Sequence, residues 1–77
     1  MPEKSSDKVI ELDVRDLEPP EPMQQALSAI ALLEPGTQLR MLHHREPYPL
    51  YTLLEQQGFS HRTTELADGC YEILIWR

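Results

Sequence analysis

Cysteine is nearly absent from this chain: Cys70 is the single one among 77 residues. No intrachain disulfide can form, and no cysteine pair offers the ligand spacing of a closed zinc site. Glycine is scarce as well. Gly36, Gly58 and Gly69 stand alone, so there is no glycine-rich loop to cradle a phosphate. Basic side chains are outnumbered, seven against thirteen acidic ones, for a net charge of -6. That balance opposes contact with phosphate backbones, and nucleic acid is not an expected partner. Apolar runs last only a few residues, far short of the ~20 that a membrane helix needs. Met1 to Asp7 is polar and lacks the apolar stretch of a signal peptide, so no membrane contact is expected and the cytoplasm is the expected location. Nucleophilic catalysis lacks a platform: Ser5, Ser6, Ser28 and Ser60 fall in the first residues, on a helix or at a strand start, and none sits on a strand-to-helix elbow. The expectation is a protein without catalytic activity and without a cofactor.

What remains is a short chain with ordinary globular content, 40% hydrophobic and 26% charged. A domain of this length buries only about 60% of its unfolded surface, so one modest core is the limit. Residues 1–7 read as a flexible tail and 8–77 as a single domain. Lys8 to Val14 alternates, with Ile10, Leu12 and Val14 on one face, as a half-buried strand does. Pro19, Pro20 and Pro22 then mark a helix start, where a missing amide hydrogen costs nothing. Glu18 and Glu21 suit the positive end of that helix. Met23, Ala26, Leu27, Ile30 and Leu33 give it an apolar stripe.

Thr37 to His43 is the second strand. Pro47 and Pro49 open a second helix striped by Leu50, Leu53 and Leu54, with Gly58 as a left-handed cap and Phe59 folding back. Ser60 to Leu66 is polar enough for an edge strand. Ala67-Asp68-Gly69 is a hairpin turn, and Cys70 to Trp76, the most apolar strand, belongs in the middle of the sheet. The order is β-α-β-α-β-β. Right-handed crossovers then produce an α/β two-layer sandwich: a four-stranded mixed sheet with two helices on one face. Leu12, Leu27, Leu39, Leu53 and Ile73 are expected among its most buried residues.

The first strand–helix junction resembles the signature of the TusA/SirA-like sulfur-carrier family. There a strand ending Leu-Asp-x-Arg-Gly-Leu leads to Cys-Pro-x-Pro at a helix start. Leu12, Asp13, Arg15, Leu17, Pro20, Glu21 and Pro22 fit it, while Asp16 replaces the glycine and Pro19 the sulfur-carrying cysteine. The resemblance implies that fold over residues 9–77. It also implies an uncharacterised branch without the carrier cysteine, to which Arg45-Glu46-Pro47-Tyr48-Pro49-Leu50-Tyr51 at the second junction is similar. A persulfide needs a thiolate, so the family's activity is not expected at Pro19.

Parallel crossovers gather strand ends and helix starts on one edge, where ligands bind. Arg15, Glu18 and Glu21 from the first junction, and His43, His44 and Arg45 from the second, are the candidate binding residues for a protein partner or small ligand. Three alternatives stand beside that edge. Cys70 could serve as a relocated sulfur or redox carrier. His43 and His44 could bind metal or haem, although neighbours on a strand point to opposite faces. Leu42, Leu74 and Trp76 would share the open sheet face as an interaction surface. A monomer or weak homodimer is expected.

Overall fold

A computed structural model describes residues 8–77; the tail expected over 1–7 lies outside the described residues. The elements are β1 (Lys8–Asp13), α1 (Glu21–Ala31), β2 (Thr37–His43), α2 (Tyr48–Gln56), β3 (Ser60–Glu65) and β4 (Tyr71–Trp76). They form one mixed sheet in the order β1-β2-β4-β3. β1 runs parallel to β2, and β4 lies antiparallel to both β2 and β3. The β-α-β-α-β-β order and the central β4 are those the hydrophobic pattern predicts.

Register decides what each face carries. Ile10 pairs with Leu39 and Leu12 with Met41 across β1 and β2. Leu39 pairs in turn with Ile75, and Met41 with Ile73, across β2 and β4. All of these project to one side because side chains alternate along a strand. There Leu39, Met41, Ile73 and Ile75 meet Ala26 and Ile30 of α1 and Leu50 and Leu54 of α2 in a single core cluster, with Leu12 packed against it and Ile10 left exposed on the edge strand. Both helices therefore cover the same face.

Three expected core residues are less buried than the pattern predicts: Leu12, Leu27 and Leu53 are half-buried. Each has a local reason. β1 is an edge strand with one neighbour, so Leu12 stays half-buried, and Val14 just beyond the strand is the fully buried residue of this segment. On the helices the stripe that points straight down is Pro22, Ala26 and Ile30, then Leu50 and Leu54. Leu27 and Leu53 flank it.

Two turns close as their sequences predict. Gly58 has φ 82°, a conformation that costs glycine little and other residues more. Its amide donates to the Glu55 carbonyl at 3.2 Å, and the Phe59 amide donates to that of Leu54 at 2.9 Å. This paired closure lets Phe59 fold back into the core. In the β3–β4 hairpin the Asp68 Oδ1 accepts the Cys70 amide at 3.0 Å. Among the described residues no helix is long and apolar enough to cross a membrane.

Candidate functional site

The two helices start on the same edge of the sheet, and each start is built of prolines. Pro20 caps α1 and Pro22 lies in its first turn; Pro47 caps α2 and Pro49 lies in its first turn. Fixed φ suits these positions. The pyrrolidine rings also add apolar surface at both helix starts. Between them is a cleft of about 270 Å³. One wall is Pro19, Pro20, Pro22 and Met23; the other is Glu46, Pro47, Pro49 and Leu50, with Met41, His43 and Arg45 also lining it. The lining is predominantly apolar and rigid, so little conformational entropy remains to be lost on binding.

His43 is the buried polar group here, only 7% exposed at the end of β2. Its parity with Leu39 and Met41 turns it toward the helices. The Nδ1 atom accepts the Arg45 backbone amide at 3.0 Å, which puts the proton of the neutral ring on Nε2. Burial, and after it the positive charges of His44 and Arg45, push its pKa below the ordinary value. His43 is therefore neutral at pH 7.

Glu46 is held by two phenols. Tyr48 donates to Oε1 at 3.0 Å, and Tyr51 lies 3.1 Å from Oε2. The Tyr51 oxygen also sits 2.5 Å from Thr63 Oγ1 on β3, and its ring stacks on His61 at 4.4 Å. With the Tyr51 hydroxyl donating to Glu46, the Thr63 hydroxyl donates to Tyr51. Burial first, and the nearby carboxylate as well, raise the pKa of Tyr51, while the Thr63 bond lowers it. Hydrogen bonding to Glu46 raises that of Tyr48. Both stay protonated donors at neutral pH.

The six candidate binding residues divide. His43 and Arg45 line the cleft; Arg15, Glu18, Glu21 and His44 are not among its lining. Arg15 is turned toward Asp13, donating through its amide at 3.1 Å, Nε at 2.9 Å and a terminal nitrogen at 2.7 Å. That pairing holds the Asp13 carboxyl at about 2. The other terminal nitrogen of Arg15 reaches Asp68 at 4.0 Å. Arg15 thus joins the end of β1 to the β3–β4 hairpin.

His44 is exposed, and its ring centre lies 5.1 Å from that of His43, tilted by 43°. Among the described residues no group of three or more His, Cys, Asp or Glu side chains is placed to hold a metal ion. Cys70 is a half-buried free thiol. Sequence reasoning missed Met23, Met41 and Leu50 as lining residues. The signal was the repetition of a proline-bearing helix start, which makes two such junctions face each other.

The open sheet face is less apolar than Leu42, Leu74 and Trp76 suggest, and all three are half-buried. Leu42 pairs with Glu72 and Leu74 with Arg40, so the leucines lie on one diagonal. Arg40 and Glu72 occupy the other, joined at 2.5 Å, and Arg40 also reaches Glu11 at 3.4 Å. An ion triad crosses the patch. The pairing with Glu72 raises the Arg40 pKa further.

These features define a small two-layer α/β domain with an apolar cleft at its strand–helix edge. The family described as "Uncharacterized conserved protein (DUF2249)" matches residues 11–77, and the chain belongs to it. Neither the curated proteins nor the solved structures include one that matches.

Proposed function

We propose that this protein is a noncatalytic cytoplasmic module that captures an apolar group, on a protein partner or a small ligand, in the proline-walled cleft. One observation carries the reading: rigid apolar walls from both junctions enclose about 270 Å³ beside a buried neutral imidazole. Pockets that take small molecules share this character, apolar with few polar groups. The reading extends to descent. A TusA/SirA-like scaffold that lost its carrier thiol at Pro19 would keep the edge and change what the edge binds. The open sheet face is the weaker surface, because the Arg40–Glu72 pair divides its leucines.

Methionine methyl groups give a direct test. In protein labelled with carbon-13 at these methyls, small apolar fragments should shift Met23 and Met41 saturably and leave Met1 unmoved. Met23→Trp, which fills the cleft, should abolish the Met41 response while the melting temperature is retained. Fragments that move neither methyl refute the reading. Incubation with a cysteine desulfurase and cysteine addresses the competing role. A sulfur adduct on Cys70 by intact mass would establish carriage there instead.

A further inference from the structure

The edge where helix starts converge ordinarily favours anions, because free amide hydrogens point outward there. In this chain the prolines remove that property. Pro19, Pro20, Pro22, Pro47 and Pro49 carry no amide hydrogen. Four of the amides beside them are spent within the chain: Glu21 donates to the Glu18 carbonyl at 2.9 Å, Gln24 to that of Pro20 at 3.1 Å, Tyr48 to that of Glu46 at 3.0 Å and Leu50 to that of Pro47 at 3.0 Å. The Glu46 carboxylate lines the cleft as well, and Arg45 is exposed to screening solvent. An anion would find few donors and one like charge.

One donor on a buried side chain does remain. With Nδ1 of His43 occupied by the Arg45 amide, the proton sits on Nε2. Among the described residues no side-chain nitrogen or oxygen is both fully buried and unpartnered. Nε2 has no hydrogen bond with the protein and keeps some accessible surface, on a residue that is only 7% exposed and that lines the cleft. A ring nitrogen with so little access to water gains from an acceptor supplied by whatever enters beside it.

We propose that the cleft takes an uncharged, mainly apolar small molecule whose one hydrogen-bond acceptor is read by His43 Nε2–H. This rests on the reading of the cleft as a binding site and adds the ligand's class. The size agrees. A benzene-sized guest needs about 150 Å³, so about 270 Å³ holds one ring and a short polar substituent.

The test uses the full chain, labelled at methionine methyls and with nitrogen-15 histidine, near pH 7. Acetophenone, ethylbenzene and benzoate present one ring with a neutral acceptor, none, or a charge. All should act at Met23 and Met41 if they bind; acetophenone should move the His43 Nε2 signal and ethylbenzene should move it far less, and benzoate should bind weakest. Because ethylbenzene is the more hydrophobic, the acceptor is measured as a cycle. The acetophenone-to-ethylbenzene affinity ratio should fall about three- to tenfold in His43→Leu, the worth of one net hydrogen bond. The wild-type Nε2 shift decides the matter even if that variant does not fold. Methyl shifts without any Nε2 response to acetophenone would overturn the acceptor inference and leave the apolar cleft standing. Benzoate binding tightest would make the ligand an anion. N-acetyl-leucinamide binding tighter than acetophenone would make it a peptide side chain; either result overturns the proposal. Silence of both methyls with every probe would overturn the cleft reading itself.

Discussion

Leu50 and Leu54 are a matched pair for asking whether the cleft is a real void. They sit one turn apart on α2, both with 0% exposure, but only Leu50 lines the cleft. Truncation to alanine removes the same apolar volume from each, worth about 2.4 kcal/mol at roughly 0.8 kcal/mol per methylene. At Leu54 a cavity closed on all sides is added to that loss, which brings Leu54→Ala to about 3.5 kcal/mol. At Leu50 the new space merges with the open cleft, so the cavity penalty shrinks and Leu50→Ala should cost about 2.5 kcal/mol. A domain of this length has roughly 4–12 kcal/mol in all, so both variants should stay folded in the cold. Urea unfolding followed by circular dichroism resolves the difference, with equal m-values as the control. In melting temperature it amounts to about 4–8 °C. Leu50→Ala costing as much as Leu54→Ala would mean that the cleft floor is packed shut.

Two further predictions concern charge and the phenol network. His43 has a folded pKa below its ordinary 6.5, so the unfolded chain takes up a proton first and stability falls as pH drops below 6.5. Asp13 repeats this lower down, between its ordinary 3.8 and about 2. Its pair with Arg15 is exposed, so that second step should be small, reduced by salt, and missing in Asp13→Asn. Urea midpoints across pH 2–8 check both windows; a midpoint that rises on acidification from pH 7 to 5 refutes the His43 assignment. Tyr51→Phe deletes the oxygen that joins Glu46 to Thr63 and should cost about 1–2 kcal/mol by chemical denaturation. Faster exchange of the β3 amides should accompany it; unchanged stability would mean the network contributes nothing net.

The fold was legible because local and global signals agree along most of the chain. Alternation set the strands, prolines set both helix starts, and Gly58 and Asp68-Gly69 set two turns. Central placement of β4 follows from its apolar content alone. Individual burial was harder to read. Leu27 and Ala26 are equally compatible with an apolar stripe, and only the angle at which α1 lies on the sheet selects Ala26. Of the six candidate residues on the strand–helix edge, His43 and Arg45 line the cleft found there and the other four do not. Arg15 belongs to the sequence of the first junction, yet Asp13, two residues earlier on the open face, draws it away from the cleft. His43 and His44 look alike in sequence, and strand parity separates them: one is buried against the helices, the other exposed. That parity was already present in Leu39 and Met41. Arg40 and Glu72 are far apart in sequence, and their pairing depends on β4 entering beside β2.

The prolines link these observations to what the edge can do. A helix start of ordinary composition presents amide hydrogens and a positive end, and such an edge selects negative charge. Replacing those residues with proline keeps the helix start, since fixed φ favours it, and deletes the donors. The same substitution adds a rigid apolar ring to each wall. Two such junctions on one edge therefore convert a charge-selective rim into an apolar cleft without altering the fold beneath it. His43, neutral and with one nitrogen already satisfied, gives that cleft one directional donor on a buried side chain. Selectivity would then come from shape and one acceptor, which a net charge of -6 reinforces by discouraging anions at long range.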